Sequence, residues 1–297
     1  MKEDTKSALG IAYLYTLISA LFAAATIALV LFSSPLDKYS IKVLALYFGF
    51  YAGILIVLYL CNRKQAQTFR AITADVTIRK ATGAVISILA LLNLFTSIPA
   101  IVYAVGSVAQ NSVDLSVVLT LVSLALDLCE LALGVYLLTH RSKTDGAYVA
   151  ITVIGIAFWY TLLSAAFTLI TKLAQVLIGQ DPLNGSFLLW LGPELVLLAV
   201  LWVLSKKRDQ NLIAAFQDGG IEKAVGALLI VSGLLRAAGL LNTLLNILWL
   251  KDSIGIGSYQ ATSSITQTIA KFVIVALQLA FGLYLLRAGQ KSPDAAC

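Results

Sequence analysis

Charge is what this chain has least of. Asp, Glu, Lys and Arg together make 12% of its 297 residues, about half the share in an average soluble domain. That excludes an ordinary water-soluble fold, whose surface needs charge, and a disordered chain, which needs more still. Histidine occurs once, at His140, and cysteine three times, at Cys61, Cys129 and Cys297. These cysteines are scattered and form no CxxC, so the sequence holds neither a disulfide framework nor a His/Cys metal site. Catalytic signatures are missing too. There is no HExxH, no GxSxG, no phosphate-binding glycine loop and no dinucleotide-binding glycine pattern. No catalytic residue, metal or cofactor is therefore expected, and an enzyme is the least favoured class.

What the chain does have is apolar length. Hydrophobic residues make up 60% of it and mean hydropathy is +0.91. About 20 apolar residues suffice to cross a bilayer. Runs of that order lie at 8–32, 41–61, 83–108, 115–139, 148–178, 186–205, 223–250 and 264–287. The first is too long for a signal-peptide core and reads as a retained span. The expected fold is an all-α integral membrane protein of eight transmembrane helices.

The formal charge of +6 does not point to nucleic acid, because no stacking or groove-reading element accompanies the basic residues. Their distribution points to topology. With eight spans both termini share one side, and that side carries 15 Lys and Arg against three, Lys38, Lys42 and Lys251, on the other. The positive-inside rule then places both termini in the cytoplasm, most simply of a plasma (inner) membrane. The expected partners are the lipid bilayer, a small solute, ion or proton, and a membrane protein or second copy of the chain.

The sequence also repeats itself. "IAYLYTLISALFAAAT" at 11–26 is similar to "IAFWYTLLSAAFTLIT" at 156–171, "IRKATGAV" at 78–85 to "IEKAVGAL" at 221–228, and "LALGVYLL" at 131–138 to "LAFGLYLL" at 279–286. The offsets, 145, 143 and 148, run in order. Residues 1–145 and 146–297 are thus expected to be two four-span repeats. An even number of spans per repeat keeps them parallel, about a pseudo-twofold axis along the membrane normal. The basic connectors at 62–75 and 205–218 correspond as well, and short interfacial helices or cytoplasmic extensions of spans 2 and 6 are expected there.

Polar residues inside the spans are costly, by about 2.5–3.5 kcal/mol each for a central Asp, Lys or Arg. Asp127 and Glu130, three apart, share a helical face with Ser116, Thr120, Ser123 and Gly134. The matching face of the last span reads Ser264, Thr268, Lys271, Val275, Gln278 and Gly282. Asn93 aligns with Arg236, and Tyr51 with Glu194. Asp127, Glu130, Glu194, Arg236, Lys271, Asn93 and Gln278 are accordingly the candidate pathway residues, with Arg236 the expected partner of the Asp127–Glu130 pair and Glu194 its competitor. Pro99 and Pro193 lie inside spans, where each tends to kink or break a helix. Two functional readings follow. The first is a small-solute or ion transporter or channel with a charged cluster near the midplane. The second is a non-catalytic structural or assembly subunit whose buried charges lock helices or a partner.

The topology is testable by single-cysteine labelling in intact cells. A cysteine at position 70 is expected to react only after permeabilisation, and one at position 183 without it; labelling of position 70 from outside would reverse the assignment.

Overall fold

The computed structural model describes residues 2–33, 38–109, 115–140, 147–177, 186–207, 219–254 and 258–288. Nine helices are described: α1 Lys2–Ser33, α2 Lys38–Lys64, α3 Phe69–Ala74, α4 Val76–Ala109, α5 Leu115–Thr139, α6 Ala147–Leu177, α7 Ser186–Lys206, α8 Gly219–Ile254 and α9 Ser258–Ala288. No strand occurs among the described residues. This all-helical outcome is what a low-dielectric surround demands, since each helix satisfies its own backbone donors and acceptors. By length and composition six helices can cross a membrane, through Lys6–Thr26, Val76–Ser107, Thr120–Thr139, Thr152–Ala174, Gly219–Leu245 and Ile265–Arg287. The other two expected spans coincide with α2 and α7, helices of 27 and 21 residues. Much of each lies outside the residues whose side chains are described.

The connector after α2 forms the expected short helix. Thr68 caps α3 by accepting from the Ala71 amide at 3.3 Å, and Asp75 caps α4 by accepting from the Ile78 amide at 3.0 Å. Short polar side chains at these positions satisfy amides that the first helical turn leaves unpaired. Ile72 is buried, and Tyr13 of α1 meets the Phe69 ring edge-on, which pins α3 to the bundle. The corresponding connector at 208–218 lies outside the described residues. The helices α4 and α7 run through Pro99 and Pro193 as continuous elements. Neither proline breaks its helix, because each costs one intrahelical hydrogen bond and the remaining ladder carries the helix on.

Packing is densest along two helix pairs, α4 with α5 and α8 with α9. Small residues make this possible. A Cβ at Gly83 would stand 2.7 Å from the Gly134 carbonyl oxygen, and one at Gly226 would stand 2.8 Å from that of Gly282. Backbones approach this closely only where neither side carries a side chain. The α1 helix packs on α2, α4 and α8, and α6 packs on α7, α8 and α4. In both α1 and α6 a threonine bonds back one turn: Thr16 to the Ala12 carbonyl and Thr161 to that of Ala157, each at 2.7 Å.

The buried apolar core gathers in the first half of α1, α4, α6 and α8, through Ile11, Ile78, Val85, Ile156, Ile221 and Leu228. This is the end of the bundle at which the chain enters α1 and leaves α9. The polar residues of interest lie further along the same helices, directly beyond this plug.

Gly83→Ala and Gly226→Ala are expected to destabilise the protein by about 1–3 kcal/mol through overpacking, outweighing a gain of up to about 1 kcal/mol in helix propensity. Gly49→Ala, with nothing within 4 Å of the added methyl group, is expected to be neutral or mildly stabilising. Thermal unfolding of the purified protein in detergent distinguishes these outcomes.

Candidate functional site

A cavity of about 340 Å³ opens beyond the apolar plug, between α1, α2, α4 and α5. Asp127 and Glu130 of α5 form one wall. Asn93 and Leu89 of α4 form a second, and Tyr15, Ser19 and Thr26 of α1 a third; Tyr51 of α2 and Leu235 of α8 complete it. Helical periodicity explains the composition. Asp127 and Glu130 are three residues apart, as are Ser19 and Phe22, so each pair turns toward the same space. Leu128 and Cys129, between the acids, point the other way and are exposed on the outer face of α5. Among the described residues lining the cavity there are two carboxylates and no Lys, Arg or His.

Arg236 is not the partner of this acidic pair. Its Nη1 donates to Gln278 Oε1 at 3.2 Å and its Nη2 to Ser164 Oγ at 3.4 Å. The carboxylate near enough to interact with it electrostatically is Glu194, the competitor in the sequence reading. The physical reason is one of helix phase. Successive residues are turned by about 100° in a helix of 3.6 residues per turn. Leu235 of α8 faces the acidic cavity, so Arg236 is rotated away from it, toward α6 and α9. Lys271, half-buried on α9 one turn before Val275, belongs neither to the cavity lining nor to the hydrogen bonds of Arg236.

The surroundings of Arg236 form a second polar centre. Gln278 is 1% exposed. Its Nε2 donates to the Leu229 carbonyl oxygen at 3.0 Å and to Ser232 Oγ at 2.9 Å. Those two bonds fix the amide so that its oxygen faces the guanidinium. Glu194 is 8% exposed, and its Oε2 has no hydrogen-bond partner among the described residues. The attraction of Arg236 offsets part of what burying that carboxylate costs.

The two centres touch. Tyr15 of α1 and Tyr160 of α6 are both buried, and their hydroxyls are hydrogen-bonded to each other. Tyr15 also bonds to Ser19, inside the cavity, and Tyr160 to Ser232, beside Gln278. The structure thus joins Asp127, Glu130 and Asn93 in one centre, and Arg236, Gln278 and Glu194 in the other. The two tyrosines are the residues that reasoning from charge passed over. A signal for them was available: Tyr15 and Tyr160 hold the same place in the repeated segments "YLYT" and "FWYT".

A double-mutant cycle in detergent tests the pairing. Arg236→Leu combined with Glu194→Gln is expected to show a coupling energy of about 0.5–3 kcal/mol in unfolding, whereas Arg236→Leu combined with Glu130→Gln should be additive within about 0.5 kcal/mol. Coupling confined to Glu130 would restore the original assignment.

The site is known here only from its own geometry, because no protein-family model, curated protein or solved structure matches the chain.

Proposed function

We propose that this is an eight-span protein of the plasma (inner) membrane, with both termini cytoplasmic, whose acidic cavity is a station on a pathway for a small cation or proton. The observation that carries the reading is the cavity lining: Asp127 and Glu130, both half-buried, share a partly open space with no basic side chain among the described residues around them. Two carboxylates at such depth need a positive counter-charge. With Arg236 turned away, that charge comes from outside the protein, as a solute, an ion or a proton. The apolar plug beneath the cavity supports a closed route toward the side of the termini.

We further propose that 1–145 and 146–297 are parallel repeats about a pseudo-twofold axis along the membrane normal, with α2 and α7 as the spans that complete the eight. Matched packing supports this. Gly83 meets Gly134 as Gly226 meets Gly282; Gly10 abuts Ile78 as Gly155 abuts Ile221. The mutual contact of Tyr15 and Tyr160 suits a place on such an axis.

One observation favours the second reading, a structural or assembly subunit. Arg236, Gln278, Ser164 and Ser232 form a hydrogen-bonded tie between α6, α8 and α9, which is the form a helix lock would take.

Reconstitution separates the two. On the pathway reading, proteoliposomes should show a cation- or proton-linked flux. Glu130→Gln should reduce it at least tenfold while leaving the thermal unfolding temperature near that of the parent. A parent protein that carries neither protons nor small cations across a sealed bilayer would favour the lock.

A further inference from the structure

The two polar centres occupy corresponding places in the two halves, and one of them contains a cation of the protein's own. In the alignment of the repeats, Tyr15, Ser19, Tyr51, Asn93 and Glu130 correspond to Tyr160, Ser164, Glu194, Arg236 and Gln278. The first five all line the acidic cavity. In the second half, the guanidinium of Arg236 is hydrogen-bonded to Ser164 and Gln278 and interacts electrostatically with Glu194 and Tyr160. The guanidinium therefore sits among the counterparts of the cavity walls, in the space that the first half leaves open. Where the second half supplies that group from α8, the first half has Asn93, too short to fill the space. Where the second half has the neutral acceptor Gln278, the first half has Glu130, with Asp127 in place of Val275.

We propose that the cavity bounded by Asp127, Glu130, Asn93, Tyr15 and Ser19 takes a small organic cation with a guanidinium or primary-ammonium head. On this assignment Arg236 is the tethered counterpart of that ligand in the other half. The inference rests on the pathway reading and narrows it to a substrate class. The chemistry fits. A guanidinium or ammonium head presents several N–H donors and no acceptor, and the cavity offers two carboxylates, an amide and hydroxyl oxygens. Charge-assisted bonds of this kind are the stronger ones. Acceptors spread over three helices suit a head with directed donors better than a spherical inorganic ion. At about 340 Å³ the space lies at the lower end of the range for small-molecule sites, about 300–1,000 Å³. It admits a head group with a short substituent. The buried Oε2 of Glu194, which has no hydrogen-bond partner among the described residues, leaves the second centre able to accept more hydrogen bonds than Arg236 supplies.

The test is isothermal titration calorimetry on the full-length protein in detergent, with guanidinium chloride, methylammonium chloride, NaCl and KCl as probes at matched ionic strength. The expected result is that guanidinium and methylammonium compete for one site and bind at least tenfold more tightly than Na⁺ or K⁺. Glu130→Gln should weaken both at least tenfold. Asn93→Arg should place a guanidinium in the first cavity from within. It is expected to abolish binding of both probes and to raise the unfolding temperature. If Asn93→Arg does not fold, Asn93→Lys is the second variant, with loss of binding again expected. The reciprocal change, Arg236→Gly, should lower the unfolding temperature, and millimolar guanidinium should restore part of the loss. Equal affinity for Na⁺ or K⁺ and the organic cations would overturn the substrate class and leave the cation pathway standing. Absence of binding by all four probes would overturn both. Guanidinium binding untouched by Asn93→Arg and Glu130→Gln would show that it binds elsewhere.

Discussion

A guanidinium held at the depth of a bilayer has to have its donors met by protein or water, and much of the polar architecture answers that need. Arg236 lies in an α8 segment apolar enough to cross a membrane. Gln278 is turned to accept from it because the amide nitrogen of that same side chain is taken up by the Leu229 carbonyl and by Ser232. Ser164 meets a second donor, and Glu194 brings the compensating charge. The arrangement draws on four helices at once, α6, α7, α8 and α9. Its orientation also removes the guanidinium of Arg236 from the neighbourhood of Asp127 and Glu130. The openness of the acidic cavity is thus a consequence of where Arg236 points.

The same bundle combines two kinds of contact with different demands. Toward the end that carries the termini, glycine against glycine lets α4 close on α5 and α8 on α9, and the apolar core is continuous. Beyond it, hydroxyls, amides and carboxylates replace aliphatic side chains, and the helices leave space between them. The tyrosine pair gives the two polar centres a shared element. Tyr15 and Tyr160 are each bonded into one centre and to one another, so a change in one centre alters the hydrogen-bond partners available to the other.

On the proposed duplication, the chemistry has diverged between halves while the packing has been kept. The backbone-to-backbone glycine contacts and the back-bonded threonines are nearly the same in both halves. The charged groups have changed places: Asp127 and Glu130 are on α5 in the first half, whereas the second half has Glu194 on α7, Arg236 on α8 and Lys271 on α9. Packing residues are held by steric limits at every neighbouring position. Polar residues facing a common space are held only by their sum, and so can be redistributed among the helices that share it.

Composition and hydropathy alone determined that the protein is helical and apolar enough for a membrane, because backbone groups in lipid must be satisfied locally and the low charge excludes the alternatives. The helical faces were also legible: the i, i+3 spacing of Asp127 and Glu130 put both on one side, and in-order offsets set Asn93 against Arg236. What periodicity could not decide was which faces meet. Whether Arg236 serves Glu130 or Glu194 depends on how far α8 is rotated about its own axis, and that rotation is set by the packing of Gly226 on Gly282 and of Leu228 and Leu229 in the core. It leaves no mark in the spacing of the charged residues. For the same reason, the cavity and the contact between Tyr15 and Tyr160 came only from tertiary structure. Each is made by helices distant in sequence, and a neutral hydroxyl carries no charge penalty to flag it.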